Sequence, residues 1–238
     1  MNTRRILRLA AAIPVVLASS NALATAFCSG GPAQCGPNYV LYDTNAFPQS
    51  PSTIHAFTYN YNFEITSSVS QQVGVTLDYI LQAGAFATPQ VVPPFDNVQA
   101  HAEVDVTDQS SNQLFTKSVD VGNNGAQALN TSIQGTVANP ATASLLLQTN
   151  TVYTIFMVGS GGVDATFSGA KPGERSVGYA QAALAFDPLA CPGCTLVEDA
   201  GVTNSIDGQG LPNLPIPAAA WLLLSGLGFI GGIMRRRG

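Results

Sequence analysis

Apolar and polar residues alternate along much of the chain between positions 53 and 187, and this period of two is typical of half-buried β-strands. The clearest run places five large apolar side chains on one face, at Phe57, Tyr59, Tyr61, Phe63 and Ile65. Further alternating or continuously apolar runs predict strands at 73–81, 98–106, 114–121, 152–158 and 176–186. The run at 152–158 is apolar on both faces, which predicts a central strand.

Clusters of glycine and proline separate these runs, at 89–94, 122–125, 159–162 and 169–173. The polar segment 108–112 predicts the turn of a hairpin. Several short strands with such breaks predict an all-β fold over residues 25–198, an antiparallel β-sandwich or jelly roll. The segment 141–147 fits a short helix or a strand. Residues 199–213 are rich in Gly, Asn and Pro and predict a flexible spacer.

The first 24 residues have the three parts of a secretory signal peptide, whose apolar part is expected to be helical. Arg4, Arg5 and Arg8 make the start basic, and an apolar stretch follows at 9–18. Ala22 and Ala24 flank one larger residue and form a small-x-small cleavage site. This pattern predicts secretion across the inner membrane and removal of residues 1–24.

The other end of the chain predicts a transmembrane helix. Residues 218–234 carry no charge, and a helix of this length reaches about 26 Å, just under the roughly 30 Å of a bilayer core. Pro215 and Pro217 suit the entry of the helix, and Trp221 suits a membrane interface. The positive charges of Arg235, Arg236 and Arg237 favour the cytoplasmic side, which leaves the middle of the chain outside.

This tail resembles the PEP-CTERM class of bacterial sorting signals, which combine a short proline motif, an apolar helix and a terminal Arg cluster. Leu214-Pro215-Ile216-Pro217-Ala218 is similar to the Val-Pro-Leu-Pro-Ala variant of that motif. The resemblance implies export by a Gram-negative, exopolysaccharide-producing bacterium, and recognition and cleavage of residues 214–238 by an integral-membrane exosortase. It covers about residues 212–238 and implies nothing about the fold before them.

The distribution of charged residues limits the classes of partner that the protein can bind. Six of the nine basic residues lie at the two ends, so the middle of the chain has three basic residues against all 14 acids, a formal charge of −11. Such a surface repels phosphate backbones, which excludes a nucleic-acid binder. Only 10% of the residues are charged and 46% are hydrophobic, which argues against intrinsic disorder.

Four cysteines lie in two close pairs, Cys28 with Cys35 and Cys191 with Cys194. An even count in an exported protein favours disulfides, and we expect the local pairing within each pair. A cross-link between the two ends of the domain is the second connectivity. A four-cysteine zinc site and a redox dithiol at the Cys191–Cys194 motif are further alternatives, but no thioredoxin-like strand and helix surround that motif.

A few polar residues are candidates for chemistry. His101, Glu103 and Asp105 point to one side of a predicted strand, where two carboxylates can share a cation or act as acid and base. The same alternation is what any solvated sheet face shows. Asp105, Asp108 and Asn112 offer oxygen ligands for calcium, although the EF-hand pattern is absent. No G-x-S-x-G or H-E-x-x-H motif supports a hydrolase.

The sequence therefore predicts a non-enzymatic protein of the cell surface or extracellular matrix, without a cofactor, anchored by its C-terminal helix until an exosortase acts. Its β domain is expected to have a structural or adhesive role. One alternative is an exopolysaccharide-binding module, with Tyr59, Tyr61 and Tyr79 stacking on sugars, although these residues share the apolar face and equally suit a core. A surface hydrolase using Glu103 and Asp105 is the other.

Overall fold

A computed structural model describes residues 27–29, 35–44, 55–87, 97–123, 129–164 and 174–212. The regular structure in these ranges is entirely β. The strands are β1 (Phe27–Cys28), β2 (Tyr39–Asp43), β3 (His55–Thr66), β4 (Gln72–Phe86), β5 (Asn97–Asp108), β6 (Gln113–Asn123), β7 (Asn130–Gln134), β8 (Ala141–Gln148), β9 (Val152–Asp164), β10 (Arg175–Ala185) and β11 (Thr195–Glu198). The predicted signal peptide and sorting tail, including Ala22, Ala24 and the motif residues from Pro215 to Arg237, lie outside the described residues.

The strands form two antiparallel sheets packed face to face. The first sheet has the order β1-β3-β9-β5-β6, and β11 also pairs with β3. The second has the order β2-β10-β4-β7, and β8 also pairs with β4. The predicted all-β sandwich is confirmed at this level. The predicted central strand is β9, which lies between β3 and β5.

The core lies between the sheets and is built from alternate residues of the long strands. In β3, Tyr59, Tyr61, Phe63 and Ile65 are buried, as the period of two predicts. Each fully buried large side chain contributes about 1.5–3 kcal/mol by leaving water. Tyr79 of β4 is buried as well. The tyrosines proposed as a sugar platform are therefore core residues.

The predicted break at 159–162 is wrong, because β9 continues through these glycines to Asp164. The two sheets approach each other backbone to backbone at this point. A Cβ atom added to Gly159 would lie 2.6 Å from the carbonyl oxygen of Gly178 in β10. The glycines therefore allow close contact between the sheets. A close approach of another backbone is a common reason for glycine within a strand, besides a break or bend.

Four short strands have no counterpart in the sequence prediction: β1, β2, β7 and β11. Each has two to five residues and pairs with one longer strand. Runs this short hold too few alternating residues for a periodic signal, and their partners determine their conformation. The ambiguous segment at 141–147 is a strand, β8, paired along the first half of β4.

Residues 199–212 form what we call the C-terminal strap, which starts at Asp199 beside β3 of the first sheet and then lies against the second sheet. The Asn204 side chain accepts a hydrogen bond from Leu184 N and donates one to Leu184 O, both at 2.5 Å. Tyr179 of β10 donates from its hydroxyl to Gln209 O at 2.7 Å. Positive φ angles at Gly208 and Gly210 give the strap its turns. Residues 199–212, which the composition predicts to be a flexible spacer, are therefore packed on the domain as far as Pro212.

Both disulfides have the expected local pairing. Cys28 pairs with Cys35, with their Cα atoms 6.0 Å apart, and Cys191 pairs with Cys194, with Cα atoms 5.5 Å apart. The first ties β1 to the turn before β2, and the second closes the turn before β11. Among the described residues, no helix is long and apolar enough to cross a lipid bilayer.

Candidate functional site

The outward face of the first sheet carries the polar residues that the sequence singled out. His101, Glu103 and Asp105 alternate along β5 with buried apolar residues, so their side chains leave the core on the same side. The sequence prediction of a shared face is correct for these three residues. The structure adds Asp120 of β6, which lies opposite His101 in the strand register.

His101 lies between two carboxylates. Its Nδ1 is 2.7 Å from Asp120 Oδ1, and its Nε2 is 3.0 Å from Glu103 Oε2. Both nitrogens can donate at once only when the ring carries two protons. The other oxygen of Glu103 accepts a hydrogen bond from Thr116 of β6 at 3.3 Å. This network fastens β6 to β5 in the manner of cross-strand pairs.

The two carboxylates of the hydrolase hypothesis, Glu103 and Asp105, are both hydrogen-bonded within the sheet. The Gln113 side chain donates to Asp105 Oδ1 at 3.1 Å. A cavity of about 420 Å³ adjoins the cluster and is lined in part by Gln99, His101, Asp120 and Ser160. Its hydrogen-bonding groups suit a polar ligand. No three His, Cys, Asp or Glu side chains in the described part of the chain are arranged to hold a metal ion.

The calcium hypothesis involves the side-chain oxygens of the β5–β6 hairpin. In the structure, the oxygens of Asp108 accept hydrogen bonds within the turn. Asp108 Oδ1 accepts hydrogen bonds from the backbone N–H groups of Ser110 and Asn112, at 2.8 and 2.9 Å. Asp108 Oδ2 accepts a third, from the Asn112 side chain, at 2.8 Å. The bonds from Asn112 lower the pKa of Asp108. These groups hold the turn together, as Asp and Asn do in tight turns.

A larger groove lies at the other sheet. Its volume is about 740 Å³, and it is bounded by the β7–β8 turn, the end of β10, the start of β11 and the C-terminal strap. Most of its lining is apolar or uncharged, including Val137, Pro140, Ala183, Phe186 and Ile206. Among the described residues that line it, Asp78 of β4 alone carries a charge.

Asp78 is unusual for a carboxylate in this position. It makes no hydrogen bond or ion pair with any described residue, and desolvation raises its pKa above the ordinary value. The sequence pattern does not distinguish Asp78, because an acid between Leu77 and Tyr79 is what an alternating strand contains. Its setting arises from the strap and the β10–β11 connection, which are distant in sequence.

Glu198 of β11 is a second acid in an unusual environment. It lies opposite Phe63 in the register, on the inner side of the sheet edge. Burial raises the pKa of Glu198 to about 7. Its Oε1 atom and the hydroxyl of Tyr61 are both buried without a hydrogen-bond partner among the described residues. Glu198 is thus set up to keep its proton in the folded state at mildly acidic pH.

The Cys191–Cys194 disulfide is enclosed rather than presented to a partner. Cys191 is 2% exposed and Cys194 is 8% exposed. Gln71 donates from its side-chain nitrogen to Cys191 Sγ at 2.9 Å. Both sulfurs are therefore in a disulfide inside the core, which fits a structural role and leaves no thiolate for the zinc alternative.

No protein-family model matches the chain, and no curated protein is significantly similar to it.

Proposed function

We propose that the protein is exported and processed by an exosortase, and that its β-sandwich has a structural or adhesive role at the bacterial surface or in the extracellular matrix. The observation that carries this proposal is the tail sequence. A proline pair at Pro215 and Pro217, 17 uncharged residues at 218–234 and three terminal arginines follow one another in the order that a sorting helix requires. The signal peptide at 1–24 predicts the same orientation.

Two features of the domain support export. Its two disulfides suit an oxidising compartment, since structural disulfides persist outside the cytoplasm. The described packing extends to Pro212, directly before the tail. Cleavage within 214–238 therefore removes none of the described contacts of the sandwich. The proposed role needs neither catalysis nor a cofactor.

If the role is adhesion to a polysaccharide, the outward face of the first sheet suits the contact better than the buried tyrosines. Phe156 of β9 is half-buried there and lies opposite Asn60 on one side and Asp105 on the other. An apolar ring beside an amide and a carboxylate combines stacking with hydrogen bonding. Absence of binding on a glycan array would leave the structural role alone.

The test is the intact mass of the protein recovered from membranes and medium of a Gram-negative host, with and without an exosortase. We expect loss of residues 1–24 in both hosts, and further loss of the tail only when the exosortase is present. Replacing Pro215 and Pro217 by alanine should block the second cleavage and keep the product in the membrane.

Lys117→Ala is the matched control, since it changes the exposed edge of the sandwich and should leave both cleavages unaffected. A protein found in the cytosol at its full mass would contradict the proposal. So would the same C-terminal cleavage in the host without an exosortase.

A further inference from the structure

The groove beside the second sheet is built from segments that meet only in the folded chain. Its floor is the outward side of β4 and β10, and its walls are the β7–β8 turn, the strap at Asn204–Ile206 and the residues after β10. The volume of about 740 Å³ falls within the range of small-molecule sites, roughly 300–1,000 Å³. Such sites are mostly apolar, with a few polar groups that orient the ligand.

Asp78 supplies the polar group. In the sheet register it lies opposite Ala183 of β10 and Thr142 of β8, and the small methyl group of Ala183 leaves space over the carboxylate. No described residue donates a hydrogen bond to Asp78. A carboxylate that is partly desolvated without a partner gains from a cation placed next to it. Desolvation by burial also raises the pKa of Asp78.

The lining determines the rest of the ligand. Phe186, Pro188 and Ile206 present apolar surface around the carboxylate, which suits a hydrocarbon body attached to the charged group. The acidic balance of the domain adds a field that attracts cations and repels anions. We propose that this groove is a binding site for small organic ammonium compounds, with the ammonium group on Asp78 and the apolar body against Phe186 and Pro188.

The site is independent of the proposed sorting of the tail. It can be present in a protein that is not processed, and processing can occur without it, so the two proposals fail separately.

Titration calorimetry with benzylamine as the probe tests the proposal, using the full chain in detergent micelles and protein-free micelles as the blank. Benzyl alcohol has nearly the same shape without the charge and should bind about tenfold more weakly or worse, as expected for loss of a charge-assisted hydrogen bond. Asp78→Asn should weaken benzylamine binding by a similar factor.

Two further variants separate binding from folding. Asp105→Asn makes the same charge change on the first sheet and should leave the affinity within about twofold, because it lies away from the groove. Asp78→Glu keeps the charge and should retain most of the binding. Equal affinity for benzylamine and benzyl alcohol would overturn the proposal, as would unchanged binding in Asp78→Asn or no binding to the unaltered chain.

Discussion

At the scale of single residues, Glu198 makes the stability of the fold depend on pH. In the folded protein, burial between β11 and β3 raises its pKa to about 7, against an ordinary value of 4.5 for the unfolded chain. Below pH 4.5 both states hold the proton. Between pH 4.5 and about 7 the unfolded chain releases a proton that the folded protein keeps, so stability falls as the pH rises through this window.

Glu198→Gln should remove most of this dependence, because the amide is neutral at every pH. Urea unfolding at pH 5 and pH 8 measures it: the unaltered protein should lose more stability between the two values than the variant does. Glu64→Gln is the control, since Glu64 lies between the buried residues Phe63 and Ile65 and therefore faces the outer side of the sheet. This variant should lose as much stability between pH 5 and pH 8 as the unaltered protein does. Parallel profiles for the Glu198→Gln variant and the unaltered protein would show that burial does not hold this proton.

Single residues also show what a sequence can and cannot predict. The side on which His101, Glu103 and Asp105 lie follows from a period of two and needs no partner strand. The contact of His101 with Asp120 depends on the β5–β6 register, which the pattern alone leaves open. The settings of Asp78 and Glu198 depend on segments more than 100 positions away, so the local sequence carries no signal for them.

At the scale of strands, the contact between β9 and β10 limits what the sequence can be. A Cβ atom on Gly178 would lie 2.8 Å from Ser160 N, and closer still to the carbonyl oxygen of His101. Both obstacles are backbone atoms of β5 and β9, which pair with each other in the facing sheet, so they cannot move aside as a side chain can. Glycine is therefore required here by packing rather than by its backbone angles.

Gly178→Ala should destabilise the protein by about 3 kcal/mol or more, at the upper end of the usual effect of overpacking. Gly74→Ala is the matched control within the same sheet, since a Cβ atom there meets nothing within 4 Å. That change should be neutral or slightly stabilising, because glycine weakens a strand interior. Chemical denaturation of both variants tests the difference, and equal stabilities would show that the sheets can separate without loss.

Strand β6 shows how an exposed sheet edge is protected. Lys117 lies opposite Val104 in the register, on the core-facing side of this edge strand, yet its side chain is exposed. A strand of another chain that paired with this edge would have to bury the ammonium group of Lys117. Inward-pointing charges are a known protection against edge-to-edge aggregation. The sequence predicts a strand here, but only the order of the described strands identifies it as an edge.

At the scale of the whole molecule, segments recognised from contiguous residues are easier to predict from the sequence than segments whose role depends on the surface they pack against. The signal peptide and the sorting tail are contiguous patterns, so they can be predicted without knowing the fold. The strap has the composition of a linker, with Gly201, Gly208 and Gly210, and differs from one only through the surface it meets. The surface under the strap contains the buried polar residues Asn38 and Gln181. Their contacts show that the strap is packed on the domain, which its composition does not indicate.

The strap is expected to be part of the folding unit. Asn38 donates to Ser205 O at 2.5 Å, and Gln181 donates to Asp207 Oδ1 at 2.7 Å, so removal of the strap takes hydrogen-bond partners from two buried amides. It would also expose the ring of Tyr179, which is fully buried. Each hydrogen bond lost in this way costs about 0.5–1.5 kcal/mol, and exposure of the Tyr179 ring adds the cost of returning apolar surface to water.

A chain shortened to end at Pro212 should keep its thermal midpoint, whereas one that ends at Gly201 should unfold at least about 10 °C lower, given 2–4 °C per kcal/mol for a domain of this size. Asn204→Ala in the longer chain should fall between the two, because it removes only the pair of bonds to Leu184. Equal thermal midpoints for the two shortened chains would show that residues after Gly201 do not stabilise the domain, as expected for a spacer. A lower midpoint at the shorter length would mean that a processing enzyme must cut beyond Pro212 to release a stable domain, which is where the proline motif stands.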